Sequence, residues 1–142
     1  MNRNQGGSGY LIPDVGVAEW AGFSRDGRYF AIAGPFRNGA LYETASRAKV
    51  LPISDNLPQI EGAAFSPDNR RFATGGRENT GFKLYDLETG QVVFSTLDSG
   101  HGYRGIQYSV DGNLIGAQSD DGLHIWLAPS WEEIAAAEAK DR

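Results

Sequence analysis

The sequence predicts an all-β chain of three four-stranded antiparallel units followed by a short C-terminal helix. Three observations carry that prediction. The stretch FSRDGR at Phe23 to Arg28 recurs as FSPDNR from Phe65 to Arg70 and as YSVDGN from Tyr108 to Asn113, a period of 42 to 43 residues that marks one unit used three times. The 19 glycines fall beside Asp and Asn and between apolar runs, where turn glycines of β proteins stand. Only the tail, SWEEIAAAEAKDR, has helical spacing.

Composition sets the outer limits. With 142 residues, 40% hydrophobic and 22% charged, the chain is long enough for one soluble domain and short for two. The net charge of −5, with 13 scattered Lys and Arg, disfavours a phosphate backbone as partner, so no nucleic acid is expected. There is no cysteine, which excludes disulfides, thiolate metal sites and a cysteine nucleophile, and fits a cytoplasmic location. The first residues lack the apolar core of a signal peptide, and no run of about 18 apolar residues exists to span a bilayer, so no membrane association is expected.

In chain order, residues 1–8 are polar and rich in Gly and Ser, and read as a flexible leader. Residues 9–130 form the repeated segment. It opens with a short strand, 10–12, ahead of Pro13-Asp14. Unit one, about 17–53, runs VAEWAGF, the Asp26-Gly27 turn, YFAIAG, ALYET and KVLPI, and Asp-Gly is among the strongest hairpin signals because both central residues of such turns need φ > 0. Unit two, 59–97, repeats it as IEGAAFS, the Asp68-Asn69 turn, RRFATGG, GFKLYDLE and QVVFSTL. Phe30 then aligns with Phe72, Tyr42 with Tyr85 and Val50 with Val93. Unit three, 101–127, has YRGIQYS, the Asp111-Gly112 turn, NLIGAQS and GLHIWLA, with Ile115 and Trp126 in the places of Phe72 and Tyr85. Its fourth strand is replaced by a helix over 131–142, where Ser130 and Glu133 make a capping box and Trp131, Ile134 and Ala135 form a stripe suited to docking on the last unit.

Four antiparallel strands per unit at this period, with an aromatic residue ending the third strand, resemble the WD-repeat β-propeller family. The resemblance spans roughly residues 10–130. It rests on the S-x-D-G/N turns, on Leu84-Tyr85-Asp86 at the family's W-D position, and on Ser119-Asp120-Asp121-Gly122 with Ile125-Trp126. The ending Ala128-Pro129-Ser130-Trp131 resembles the tail of some bacterial members. The resemblance implies three blades of a partial propeller. It also implies a buried tetrad of a Gly-His pair, a strand-two hydroxyl, a turn Asp and the Trp. Unit three supplies His101, Asp120 and Trp126 but has Gly116 for the hydroxyl, and unit two supplies Thr74 but has Leu57-Pro58 for Gly-His. Blade stability is therefore expected mainly from apolar packing, with Asp26, Gly27, Asp68, Tyr85, Asp86, Asp111 and Gly112 in structural roles.

Candidate chemistry is sparse. Gly100 to Gly105 matches G-x-G-x-x-G, but that fingerprint needs a helix at its glycines and IQYS reads as a strand, so a tight loop is expected and no cofactor. Two histidines, His101 and His124, are too few for a His-rich metal site. Asp120-Asp121 reads as a β-turn, since adjacent acids in a turn diverge and cannot flank a substrate as hydrolytic pairs do. No catalytic residue is nominated and no enzyme is expected. The loop residues Trp20, Arg37, Asn38, Arg77, Glu78, Tyr103 and Arg104 hold the exposed aromatic and arginine character that anchors interfaces.

The expected function is a non-enzymatic scaffold binding a protein or peptide through these loops. An open arc of three blades leaves apolar flanks and an unpaired edge. Two coverings are expected: a homo-oligomer of three plus three blades, each chain lending its 10–12 strand to the other, or the remaining blades of a longer chain whose channel carries a small-molecule or catalytic site.

Overall fold

Each serine-bearing turn joins two antiparallel strands, and the rest of the architecture follows from stacking the resulting sheets. The computed structural model describes residues 9, 18, 20–34, 39–50, 53, 60–77, 81–96, 102–128 and 131–140. The leader 1–8 and the strand expected at 10–12 lie outside them. The first sheet has the order β1-β2-β3, with β1 Trp20–Phe23, β2 Tyr29–Ala33 and β3 Ala40–Glu43. The second is four-stranded, β4-β5-β6-β7, with β4 Ile60–Phe65, β5 Arg71–Gly76, β6 Phe82–Asp86 and β7 Val92–Ser95. The third is β8-β9-β10, with β8 Arg104–Tyr108, β9 Leu114–Ser119 and β10 Gly122–Leu127. Helix α1, Trp131–Lys140, follows, with Glu132 and Glu133 in its first turn and Lys140 in its last, the charge order its macrodipole favours. Among the described residues the fold is thus all-β apart from one short helix. Four strands in unit one is corrected: among the described residues the fourth is reduced to a Tyr42–Lys49 bridge and a Val50 amide donated to the Leu41 carbonyl. Pro52, which has no N–H to give a ladder, stands two residues on.

The register makes the repeat physical. Phe30 pairs across strands with Tyr42, Phe72 with Tyr85 and Ile115 with Trp126, so the aligned residues occupy one position in all three sheets. Ring spacings repeat as well. Phe23, Phe30 and Tyr42 follow one another at 5.1 and 6.2 Å, and Phe65, Phe72 and Tyr85 at 4.9 and 6.3 Å.

Alternation along each strand sends these residues to one face and their neighbours to the other. The opposite face of the first sheet, Tyr29, Ala31, Ala33 and Leu41, packs with Ile60, Ala63, Phe72 and Tyr85 of the second. In the same way Ala73, Phe82 and Leu84 of the second sheet pack with Tyr103, Ile106, Ile115 and Ala117 of the third. Each fully buried large side chain in these two layers contributes about 1.5–3 kcal/mol. The second and third sheets approach closely because β5 and β4 carry glycine there: a Cβ on Gly75 would meet Ile106 Cδ1 at 2.7 Å, and one on Gly62 the Gly105 nitrogen at 3.0 Å.

Candidate interaction surface

Two ends and one face of the stack present functional groups. At one end stand the three S-x-D turns, built alike. In each, the serine hydroxyl donates to the aspartate (Ser24 to Asp26 at 2.7 Å, Ser66 to Asp68, Ser109 to Asp111 at 2.6 Å) and accepts the amide of Tyr29, Arg71 or Leu114 at 2.9–3.0 Å. The aspartate Oδ1 also accepts the amide two residues on, from Arg28, Arg70 or Asn113. Each of these aspartates holds its loop through Oδ1. The serine hydroxyl, followed by the backbone amide, holds the Asp26 and Asp111 carboxyls below their ordinary value of 3.8.

The expected turn conformation is corrected in one respect. Of each Asp-Gly or Asp-Asn pair only the second residue is left-handed, at Gly27 (φ 73°), Asn69 (62°) and Gly112 (78°). The amide of that residue donates back to the serine carbonyl, so the loop is a type I turn closed by one left-handed residue, and the aspartate keeps an ordinary backbone conformation. Between the second and third sheets near this end, Arg71 and Tyr108 are drawn inward together. Burial lowers the Arg71 pKa, with Tyr108 and Asp68 opposing that shift, and burial pushes the Tyr108 phenol strongly up.

At the other end the topology gathers the starts of β1 and β8 with the end of β5, which brings Trp20, Arg77, Tyr103 and Arg104 to one side of the stack. Arg37, Asn38, Glu78 and His101 lie outside the described residues. Arg77 and Arg104 are exposed, and Arg77 Nε meets Glu61 Oε1 at 2.7 Å. Tyr103 is not an exposed anchor: it is 0% exposed, its amide donates to the Gly76 carbonyl, and its ring stands edge-on to Trp126 (5.4 Å) and His124 (5.3 Å). The Gly102–Gly105 backbone lies close against the second sheet, which leaves the tyrosine nowhere else to go. Trp20 is likewise half-buried against the first core layer, its ring over Gly22. A strand, β8, begins at Arg104 inside the G-x-G-x-x-G run, with Gly105 left-handed (φ 58°) at a bulge before Gln107, so a strand and not a helix follows these glycines.

The remaining structural residues are placed by packing. Tyr85 is buried, which raises its phenol pKa, and Thr74 lies near enough to oppose that shift without closing a hydrogen bond of good geometry. Asp86 caps the turn after β6 by accepting the Glu88 amide at 2.8 Å. Asp120 accepts from the Ser119 hydroxyl at 2.9 Å. Trp126 stacks on Phe82 at 4.9 Å, and His124 stacks on Trp126 with its Nε2 2.6 Å from Asp121 Oδ1. Among the described residues no three His, Asp or Glu side chains are placed to hold a metal ion, and no helix is long and apolar enough to cross a membrane.

The outer face of the third sheet is an apolar flank of the kind an open arc implies, and none of its residues is among the candidate loop residues. Register makes Ile125 the equivalent of Leu41 and Leu84. Both leucines are 0% exposed beneath the next sheet, whereas Ile125 is 62% exposed, with Leu123 at 68%, Leu127 at 81% and Leu114 beside them. Leu127 also stands where the first two units carry the carboxylates Glu43 and Asp86. That substitution was visible in the alignment of GLHIWL with GFKLYD. No family model matches the chain, and no curated protein matches it.

Proposed function

We propose that this chain is a non-enzymatic scaffold that binds a protein or peptide, and that the outer surface of the third sheet is its principal binding surface. One observation carries the reading: the face that is wholly covered at Leu41 and Leu84 is open at Ile125. An apolar face of this kind marks an interaction site. The loop end, with Arg77 and Arg104, is a secondary surface, polar and exposed as interface rims are.

Under this reading the stack is three blades of a WD-type partial propeller. A second chain joining as three plus three blades, or further blades of a longer chain, would continue it on the third sheet. A channel-facing small-molecule or catalytic site belongs to the longer-chain alternative. The S-x-D aspartates favour the scaffold, since each uses its Oδ1 to hold turn structure.

Affinity capture with the immobilised chain tests it, alongside the solution mass from light scattering. The expected result is stoichiometric recovery of a protein, or a dimeric mass, that the triple variant Leu123→Ser, Ile125→Ser, Leu127→Ser removes. The Arg77→Ala, Arg104→Ala variant is expected to weaken recovery less. Recovery and mass both indifferent to the triple variant would contradict the proposal.

A further inference from the structure

We infer that the outer edge of β10 receives an extended apolar segment of another polypeptide, which adds to the third sheet as its fourth antiparallel strand. The inference rests on the scaffold reading and names its mode of binding. Its template lies within the chain. β10 matches β6 residue for residue, since Trp126 pairs with Ile115 as Tyr85 pairs with Phe72 and Leu127 with Leu114 as Asp86 with Arg71.

On β6 the outer edge is occupied. β7 lies antiparallel along it, with Phe94 opposite Leu84 and Val92 opposite Tyr85. The Asp86 amide donates to the Gln91 carbonyl and the Thr96 amide to the Phe82 carbonyl, each at 2.9 Å. In unit one the same positions are used, as Glu43 donates to Ala48 at 2.9 Å and Leu41 accepts from Val50 at 2.7 Å. By that parity the backbone groups of Leu123, Ile125 and Leu127 point to the outer edge of β10. The inner edge is closed: Ala128 donates to the Asn113 carbonyl, as Leu87 does to Arg70 and Thr44 to Arg28. The chain itself turns into α1 at Trp131.

The chemistry of the occupant follows from the side chains. Phe94, opposite Leu84, packs edge-on against Phe82 at 6.2 Å and is partly buried in the second core layer. Ile125 and Leu123 stand in the places of Leu84 and Phe82, so the position opposite Ile125 takes an aromatic or large aliphatic residue. The position opposite Trp126 takes a β-branched one, as Val92 does opposite Tyr85. Leu123, Ile125 and Leu127 offer no charge, so neither an acidic nor a basic peptide is selected. Strand addition supplies affinity through main-chain bonds and specificity through alternate side chains.

A fluorescein-labelled peptide with the sequence of Gln91 to Thr96, QVVFST, serves as the probe, titrated into the full chain and read by anisotropy. The expected result is saturable binding of one peptide per chain. Affinity should fall at least tenfold (about 1.4 kcal/mol) for Ile125→Asp in the protein, and likewise when the peptide nitrogen matching Thr96 is methylated. Equal binding of the methylated peptide, or binding indifferent to Ile125→Asp, overturns strand addition at β10. Absence of binding at millimolar protein does the same. A wild-type mass of two chains that Ile125→Asp reduces to one, without peptide binding, overturns the foreign strand in favour of a second copy and leaves the scaffold reading standing.

Discussion

The Asp26 amide donates to the side-chain carbonyl of Asn69 at 2.9 Å, which fastens the first S-x-D turn to its counterpart 42 residues later. Asn69 therefore has two duties. It takes the left-handed conformation that glycine takes in the other two units, and it bridges neighbouring sheets. Asn69→Gly keeps the conformation and loses the bridge, a cost of about 0.5–1 kcal/mol. Asn69→Ala loses the bridge and adds left-handed strain of about 1 kcal/mol more. Urea unfolding should rank wild type above Gly above Ala, and Ala above Gly would contradict the assignment.

Arg47 has φ 62° at the place where unit two has Gly90 at φ 75°, and its amide closes the turn on Glu43 as that of Gly90 closes on Asp86. Arg47→Gly is expected to raise stability by up to about 1 kcal/mol, the left-handed strain relieved less the added freedom of the unfolded chain. Gly90→Ala should lower it by about 1 kcal/mol. Thermal midpoints moving in opposite directions would check both.

The carboxyls of Asp26 and Asp111 titrate below 3.8, so the fold favours their ionised forms. Their contribution is present above the unfolded-state carboxylate pKa and is lost as pH falls through the lower folded values. Thermal midpoints followed from pH 6 downward should hold to about pH 4 and then fall. The Asp26→Asn, Asp111→Asn variant should be less stable at pH 6 and show a shallower acid slope; an unchanged slope would mean that other carboxylates control acid unfolding.

Much of this was legible in the sequence because the repeat fixes phase. The positions of the three turns, the equivalence of Phe72 with Ile115 and of Tyr85 with Trp126, and a third sheet of three strands among the described residues all follow from aligning three stretches of chain. For Tyr103 a glycine-rich loop suggests solvent, but loop composition carries no information about which sheet will press against it. An open arc implies an apolar flank, but which residues carry it was not legible, for a related reason. Alternation assigns Leu123, Ile125 and Leu127 to one side of a strand, but whether another sheet covers that side is decided by packing beyond the strand.

Leu84 and Ile125 occupy equivalent positions in opposite surroundings. Leu84→Ala should cost about 2–5 kcal/mol, since it empties a filled layer. Ile125→Ala should change stability by no more than about 0.5 kcal/mol in the unbound chain. Comparable losses in chemical denaturation would mean that Ile125 is covered in solution.

The openness of the β10 edge can be read most directly from amide hydrogen exchange at Leu127 and Asp86, measured on dilute chain with and without saturating QVVFST peptide. Asp86 donates to the Gln91 carbonyl just ahead of β7 and should be protected in both samples. Leu127 should exchange rapidly alone and become protected at least tenfold when peptide is added. Equal protection of Leu127 and Asp86 in the dilute chain, or no change at Leu127 on adding peptide, would contradict an open edge that takes a strand.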